Sequence, residues 1–496
     1  MKYYSTRNKK NILTSAEAIV KGLAADGGLF VPETLPKFSI DDIAGMQKLN
    51  YRELAKKILG SLLTDFTADE VSYCVENAYT TRNFETDKIV PVATLDDTTH
   101  ILELWHGPTC AFKDMALQIM PYLLTTSMKK TGEQNEVVIL VATSGDTGKA
   151  ALEGFSDVEK TKIIVFFPEN GVSEIQKLQM TTQSGNNVGV FGVFGNFDDA
   201  QNGVKRIFTD NAFAEKLKKN NMVLSSANSI NWGRLSPQIV YYFSAYCQLV
   251  SNKAIKLGDK INFVVPTGNF GNILAGYYAK LMGLPVNKLI CASNENNVLT
   301  DFINNGEYDK NRRFVTSLSP SMDILISSNL ERFLFNITDA DEKAVTSYMD
   351  SLKAIGKYKV SDDIKQKIQS QLCAGYCDDA ETLETIKSVF DRHSYVLDTH
   401  TAVAVNVYKK YKSATGDDTK TVILSTASPY KFAGSVLSAI SGQKNDDAFE
   451  TINTLNKVSA LSVPESLAGL SHKEVRFKET CDPAKMSETV EKHLGL

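Results

Sequence analysis

From about residue 97 the chain repeats one texture: a continuous apolar, β-branched run, a glycine-rich turn, then an amphipathic stretch. "EVVILVATSGDTGKAALEGF" carries it once, "TKIIVFFPENGVSEIQKLQMTTQSG" again, and "NNVGVFGVFGNFDDAQNGVKRIF" a third time. "DKINFVVPTGNFGNILAGYYAKLMG" is a fourth instance and "KTVILSTASPYKFAGSVLSAI" a late fifth. Runs that are apolar at every position suit strands buried on both faces. Strands alternating with helices imply parallel sheets between helical layers. Residues 12–85 differ. "SIDDIAGMQKLNYRELAKKILGSLL" has apolar positions at helical spacing, and "DGGLFVPETLP" interrupts with Gly and Pro. Residues 330–415 are mostly helical in pattern, and "GDDTKT" at 416–421 has the character of a surface loop. "MSETVEKHLGL" closes a tail, 436–496, as an amphipathic helix suited to packing or to a partner. The expectation is an α/β protein with two parallel or mixed sheets and an N-terminal helical segment. Its expected divisions are 1–95, a smaller α/β domain at 96–250, and a larger one at 251–496 with the C-terminal helices.

Length and charge narrow the classes. A chain of 496 residues is past the size at which one core usually divides. Hydrophobic residues at 43% and charged residues at 23% suit a soluble globular protein. Lys plus Arg is 54 against 58 for Asp plus Glu, a net charge of −4, which disfavours a broad nucleic-acid footprint. No apolar run has membrane-spanning length. The basic start "MKYYSTRNKKN" is not followed by a signal-peptide core. The seven cysteines are odd in number and scattered, which suits free thiols in a reducing cytoplasm. Cys373 and Cys377 form a lone CxxxC, short of the four ligands of structural zinc, so no metal is expected.

Three turns and one lysine carry the chemistry. In "FVVPTGNFGNILAGYYAK", Gly268 and Gly271 fall between a strand and a helix, where backbone amides and the helix dipole favour an anion. Asn269 and Asn272 add donors. A plain tight turn explains the same spacing, and the GxGxxG fingerprint is absent. In "VATSGDTGKAALEGF", Thr143, Ser144 and Thr147 offer hydroxyls to a carboxylate or phosphate. The bland reading is that Asp146 or Thr147 caps the helix. The segment is not a P-loop, because Ala142 and Ala150 stand where Gly and Ser/Thr are required. In "SSANSINWGRLSPQIVYYF", Asn228, Ser229 and Arg234 suit a forked anion contact. Finally, Lys113 in "HGPTCAFKDMALQIM" stands among apolar neighbours. Either its stem packs while its head reaches water, or it is a Schiff-base lysine with its pKa lowered by desolvation. Lys113, two phosphate-type turns and an α/β sheet together suggest pyridoxal phosphate.

"LWHGPTCAFKDMALQIM", "ATSGDTGKAA", "SANSINWGRLSPQIVYYF", "PTGNFGNILAG", "SPSMDILISSNLERF" and "STASPYKF" occur in this order, after "YYSTRNKKNILTSAEAIVKGLAADGGLFVPETLP". In this the chain resembles the threonine synthase family, in its longer bacterial and fungal class, over residues 3 to 435. The resemblance implies the tryptophan-synthase-like fold, with pyridoxal phosphate in a cleft between two α/β domains. It implies conversion of O-phospho-L-homoserine and water to L-threonine and phosphate. Lys113 would hold the cofactor and shuttle protons, and Phe112 would lie against its ring. Gly268, Asn269, Phe270, Gly271 and Asn272 would cradle its phosphate, and Thr426 would meet the ring nitrogen. Thr143, Ser144, Thr147, Asn228, Ser229 and Arg234 would receive the substrate, the last three favoured for its phosphate. Asp146 stands where many sister enzymes have Asn, so it either touches the ring hydroxyl or only caps a helix. His106 suits a base or a structural hydrogen bond, with the structural role favoured. The expected partner is the small-molecule substrate, with no nucleic acid and no membrane, for a monomer or homodimer. Rival readings are a phospho-lyase on the same fold giving 2-oxobutyrate, a nucleotide-binding enzyme without pyridoxal phosphate, and a catalytically dead regulatory module.

Overall fold

The structure is a computed structural model that describes residues 1–143 and 145–496. It opens with three short antiparallel strands, β1 (Tyr3–Ser5), β2 (Asn8–Leu13) and β3 (Phe30–Pro32), in the order β2-β1-β3. Helix Ser15–Lys21 lies between β2 and β3, and helices Ile40–Met46, Tyr51–Leu62 and Ala68–Ala78 follow β3. Each begins at a polar residue (Thr14, Ser39, Asn50, Thr67) whose side chain accepts from the third helical N–H, while an acidic residue reaches back. These reciprocal caps satisfy amides that the helix cannot, so short helices hold at defined starts.

Two larger sheets form the body. Strands β4 (Val92–Thr94) and β5 (Thr99–Glu103) come first, then β6 (Glu136–Ala142), β7 (Thr161–Pro168), β8 (Val188–Val193) and β9 (Met222–Ser225). After them come β10 (Ile261–Pro266) and β11 (Val286–Ser293). A small antiparallel pair, β12 (Glu307–Asp309) and β13 (Lys357–Lys359), precedes β14 (Leu372–Tyr376), β15 (Thr421–Ser425) and β16 (Thr480–Cys481). One sheet has the order β16-β8-β7-β6-β9 and is parallel throughout. The other has the order β14-β11-β10-β15-β5-β4 and is parallel except for β4. Every residue of β8 and β10 is buried. Helices cover both faces, as their unbroken apolar runs require.

The sheets change between β9 and β10, on either side of 250/251, but two segments cross the expected divisions. β5 pairs residue for residue with β15, from Thr99 against Thr421 to Glu103 against Ser425, so residues 92–103 belong with the later strands. β16 returns to the earlier sheet beside β8, and helix Met486–Leu494 follows it, burying Met486, Val490 and Leu494 in one cluster with Val193, Ala200 and Val204. An apolar run states that a strand is buried but not which sheet receives it. The helical region 330–415 also contains β14, which begins where helix Asp362–Gln371 ends, with no turn residues between them. In the "GDDTKT" segment, Asp417 is fastened by Asn262 (2.9 Å) and Tyr411 (2.7 Å), and the final Thr421 already belongs to β15.

The three turns singled out in the sequence follow the carboxyl ends of β6, β9 and β10, and Thr426 follows that of β15. Parallel α/β sheets present ligand sites at that edge.

Candidate active site

The loop that carries Lys113 is laced to the segment after β15. Ala111 and Ala427 form an antiparallel bridge, Phe112 N–H donates to Thr426 C=O (2.8 Å), and Ser428 N–H donates to Cys110 C=O (3.0 Å). Thr109 donates to the buried Asp114 carboxylate through its N–H (2.9 Å) and its hydroxyl (2.7 Å). Burial pushes that carboxyl up to about 6 against these bonds. Gly107 allows the loop to close: a Cβ there would stand 2.6 Å from Asp114 Cβ. The lysine and Thr426 are therefore set by backbone pairing.

Lys113 opens the one-turn helix Asp114–Leu117. Its Nζ lies 3.4 Å from Ser321 Oγ, 3.8 Å from Asp146 Oδ2 and 4.8 Å from the centre of the Phe112 ring. Burial lowers its pKa. Asp146 opposes that shift, while Lys431 and Arg234 reinforce it. An amine in this setting is released from its proton more readily than a surface lysine.

Asp146 is the first residue of helix Asp146–Phe155, entered through Gly145 at φ +131°. A Cβ on Gly145 would fall 2.5 Å from the Gln176 side chain. Asp146 Oδ1 accepts from Lys431 Nζ (2.9 Å) and Gln176 Nε2 (3.0 Å), and Oδ2 accepts from Ser321 Oγ (3.2 Å). Burial alone would raise this carboxyl. The Lys431 ammonium, with Lys113 and the hydrogen bonds, instead holds it far below the carboxylate range. Lys431 is wholly buried and also donates to Thr109 C=O (2.9 Å) and Gln179 Oε1 (3.1 Å), so its three protons are matched by three acceptors. Asp146 thus does more than occupy a helix start: it ties Lys431 to the neighbourhood of Lys113.

In the glycine turn Phe270 takes a left-handed conformation (φ +62°) ahead of helix Gly271–Leu281. The N–H groups of Gly268, Asn269, Phe270, Gly271 and Asn272 have no acceptor among the described residues. Asn272 Oδ1 accepts from Tyr241 (2.6 Å) and Tyr242 (2.9 Å), while its buried Nδ2 has no partner there. Beside this turn, Ser229 Oγ accepts from Asn329 Nδ2 (3.2 Å), and the Asn228 N–H turns to Ser226. Arg234 is buried, gives one bond to Ala227 C=O (2.5 Å), leaves Nε without an acceptor and meets no carboxylate among the described residues. Burial lowers its guanidinium to about 10. A buried, unneutralised cation near orphan amides is the donor set that an anion satisfies.

Thr143 uses its hydroxyl inside the turn, accepting from Gly145 N–H (3.0 Å) and Gly148 N–H (2.9 Å). Thr147 is half-buried with no side-chain bond among the described residues, and Ser144 lies outside them. Thr426 is buried and offers its C=O to Phe112. His106 turns to Glu103 (2.8 Å) and Glu85 (3.8 Å); burial opposes its charge, but the two carboxylates push it up to about 9. Burial pushes the Cys110 thiol up to about 12.

Sequence reasoning left several residues unassigned. Lys431 lies within "STASPYKF", where the eye goes to the hydroxyls. "SPSMDILISSNLERF" is the strap of the site. Ser321 meets Lys113 and Asp146, Ser327 Oγ donates to Gly268 C=O (2.7 Å), and Asn329 Nδ2 donates to Asn269 C=O (3.1 Å). Arg332 in turn holds Asn329 Oδ1 (2.7 Å) and the carbonyls of Phe30 and Ile230.

Comparison with known proteins agrees along the whole chain. The family models "Threonine synthase N terminus", "Pyridoxal-phosphate dependent enzyme" and "Threonine synthase, C-terminal" match residues 2–79, 99–427 and 401–494. Threonine synthase-like 1 of Homo sapiens is 42% identical over 458 residues, which is 90% of this chain and 61% of the human protein. This chain therefore spans about three fifths of that relative. Threonine synthase of Pseudomonas aeruginosa is 42% identical, over 89% of this chain and 91% of its own. The crystal structure of PLP-bound threonine synthase from Brucella melitensis matches with a TM-score of 0.88 at 37% identity, over 99% of each chain.

Proposed function

The chain belongs to the threonine synthase family of pyridoxal-phosphate-dependent enzymes, and from that premise we propose that it converts O-phospho-L-homoserine and water to L-threonine and inorganic phosphate. The observation that carries the reading is the convergence of one desolvated lysine, Lys113, with a turn of amides without an acceptor and a buried arginine without a counter-ion among the described residues. Pyridoxal phosphate fits these residues. Lys113 would hold it covalently, and the amides of Gly268, Asn269, Phe270, Gly271 and Asn272 would take its phosphate. Phe112, Asp146 and Thr426 complete that set with an apolar face, an anion and a hydroxyl.

When bound, the cofactor supplies an electron sink for the pair left by a departing Cα proton. The chain supplies the rest. Lys113, easily deprotonated where it stands, takes and returns protons along the substrate's carbon chain. Asn228, Ser229 and Arg234 receive the substrate phosphate, and the guanidinium stabilises the charge that grows as phosphate leaves. Thr143, Ser144 and Thr147 receive the carboxylate. The strap 319–332, bonded to the glycine turn, limits water to the carbon that accepts it. The proposal includes a small-molecule substrate rather than nucleic acid, a monomer or homodimer, and a cytoplasmic location, which seven free thiols support. Among the described residues no helix is long and apolar enough to cross a membrane.

The test is product analysis with O-phospho-L-homoserine after loading with pyridoxal phosphate. Threonine and phosphate are expected in equal amounts. Release of 2-oxobutyrate and ammonia would replace the proposal with a phospho-lyase.

A further inference from the structure

The backbone of Ser321 meets a buried histidine that lies outside the substrate and cofactor sets. The turn Pro320–Met322 lies over the glycine loop so closely that a Cβ on Gly268 would stand 2.8 Å from Ser321 C=O. Its middle amide, Ser321 N–H, donates to His400 Nε2 (3.2 Å), and His400 Nδ1 lies 3.1 Å from Asp398 Oδ1. Both His400 and Asp398 are buried, and the imidazole packs against Phe432 with ring centres 4.8 Å apart. Asp398 caps helix Thr399–Thr415, accepting from His400 N–H (2.8 Å) and from Thr401. A backbone N–H can only donate, so Nε2 must carry the lone pair. The single ring proton then sits on Nδ1, facing the carboxylate.

We infer that His400 is a positioning residue: locked by Asp398 in the Nδ1–H tautomer, it anchors the Ser321 amide and so sets Ser321 Oγ between Lys113 and Asp146. The hydroxyl, 3.4 Å from Lys113 Nζ and 3.2 Å from Asp146 Oδ2, is the bridge between the amine and its carboxylate. Imidazole is suited to the task because it is rigid, and its tautomer is chosen by the partner behind it. The inference rests on the reading of Lys113 as the reactive amine.

Nitrogen-15 NMR of the histidine-labelled full-length protein reads the tautomer. A proton on Nδ1 of His400 is expected, and a proton on Nε2 overturns the inference. A second experiment follows Lys113 without turnover. Reductive methylation with formaldehyde and cyanoborohydride, in the full chain stripped of cofactor, gives the pH midpoint of Lys113 by peptide mass spectrometry. His400→Phe and Ser321→Ala are expected to displace that midpoint equally, and the double variant no further, because both act through one hydroxyl. His400→Gln, with an amide oxygen available in place of Nε2, is expected to stay at the wild-type value. Displacements that sum, or a His400→Phe midpoint unmoved where Ser321→Ala moves it, overturn the inference. In the loaded enzyme His400→Phe is expected to lower kcat on the order of tenfold to a hundredfold with KM little changed. A wild-type midpoint equal to that of surface lysines sinks the reactive-amine reading instead, a result distinct from any failure of coupling.

Discussion

A buried ammonium with three well-placed acceptors is stable only while all three remain. Lys431→Met removes the cation from the Asp146 pair and leaves the carboxylate to Gln176, Ser321 and Lys113. Breaking one side of such a pair costs about 3–5 kcal/mol, which urea unfolding at neutral pH will register. The pH dependence has a definite sign. Asp146 titrates far below its unfolded value, so its contribution is complete above about pH 4 and is lost as pH falls toward the folded value. In Lys431→Met that acid loss flattens. His106 has the opposite sign. Its folded value of about 9 exceeds the ordinary 6.5, so its stabilisation is complete below 6.5 and fades as pH rises through 9. Unfolding midpoints taken from pH 6 to 10 should show that decline, and His106→Gln should remove it. At the reacting centre, Lys113→Ala should abolish cofactor capture in the absorption spectrum and lower turnover by at least about 10³-fold.

At the scale of elements, the lysine loop and the strap are the vulnerable parts. Gly107→Ala drives a methyl into Asp114, and overpacking of this kind costs about 1–3 kcal/mol. The displacement falls on Lys113, so activity should drop further than stability, a difference seen by measuring kcat beside the unfolding midpoint. The strand–turn–helix units were legible because continuous apolar runs end in glycine turns, and Lys113, Gly268 and Arg234 stood out as residue types placed against their surroundings. β14 was not legible, since "LCAGY" is brief and continues directly from a helix. Lys431, Ser321 and His400 were missed for another reason. Their roles come from contacts such as Lys431 with Thr109 and Ser321 with His400, which lie far apart in sequence. No local pattern encodes such a partner.

For the whole molecule the ends of the chain matter as much as its middle. At the N-terminus Arg7 forks onto Glu331 (2.9 and 2.8 Å) and Thr6 adds a third bond (2.6 Å), so the turn between β1 and β2 clamps the end of the strap, where helix Leu330–Ile337 begins. At the C-terminus, removing residues 479–496 strips β16 from the edge of the first sheet and uncovers the cluster around Val193 and Val204. Hydrogen exchange in β8 is expected to accelerate in that truncation, while β10 and β15 keep their protection.

The pairing of β5 with β15, and of β8 with β16, also sets a schedule for synthesis. β5 leaves the ribosome early, yet its partner Thr421–Ser425 is made only after most of the chain, on the order of tens of seconds later. The other sheet lacks its edge until residues 480–481 are made, long after β8. Until Thr421–Ser425 is made, β5 and β10 have no strand between them, and until residues 480–481 follow, β8 keeps an open edge, so a ribosome that stalls before β15 leaves unpaired strand edges in both sheets, and one that stalls between β15 and β16 leaves them in one.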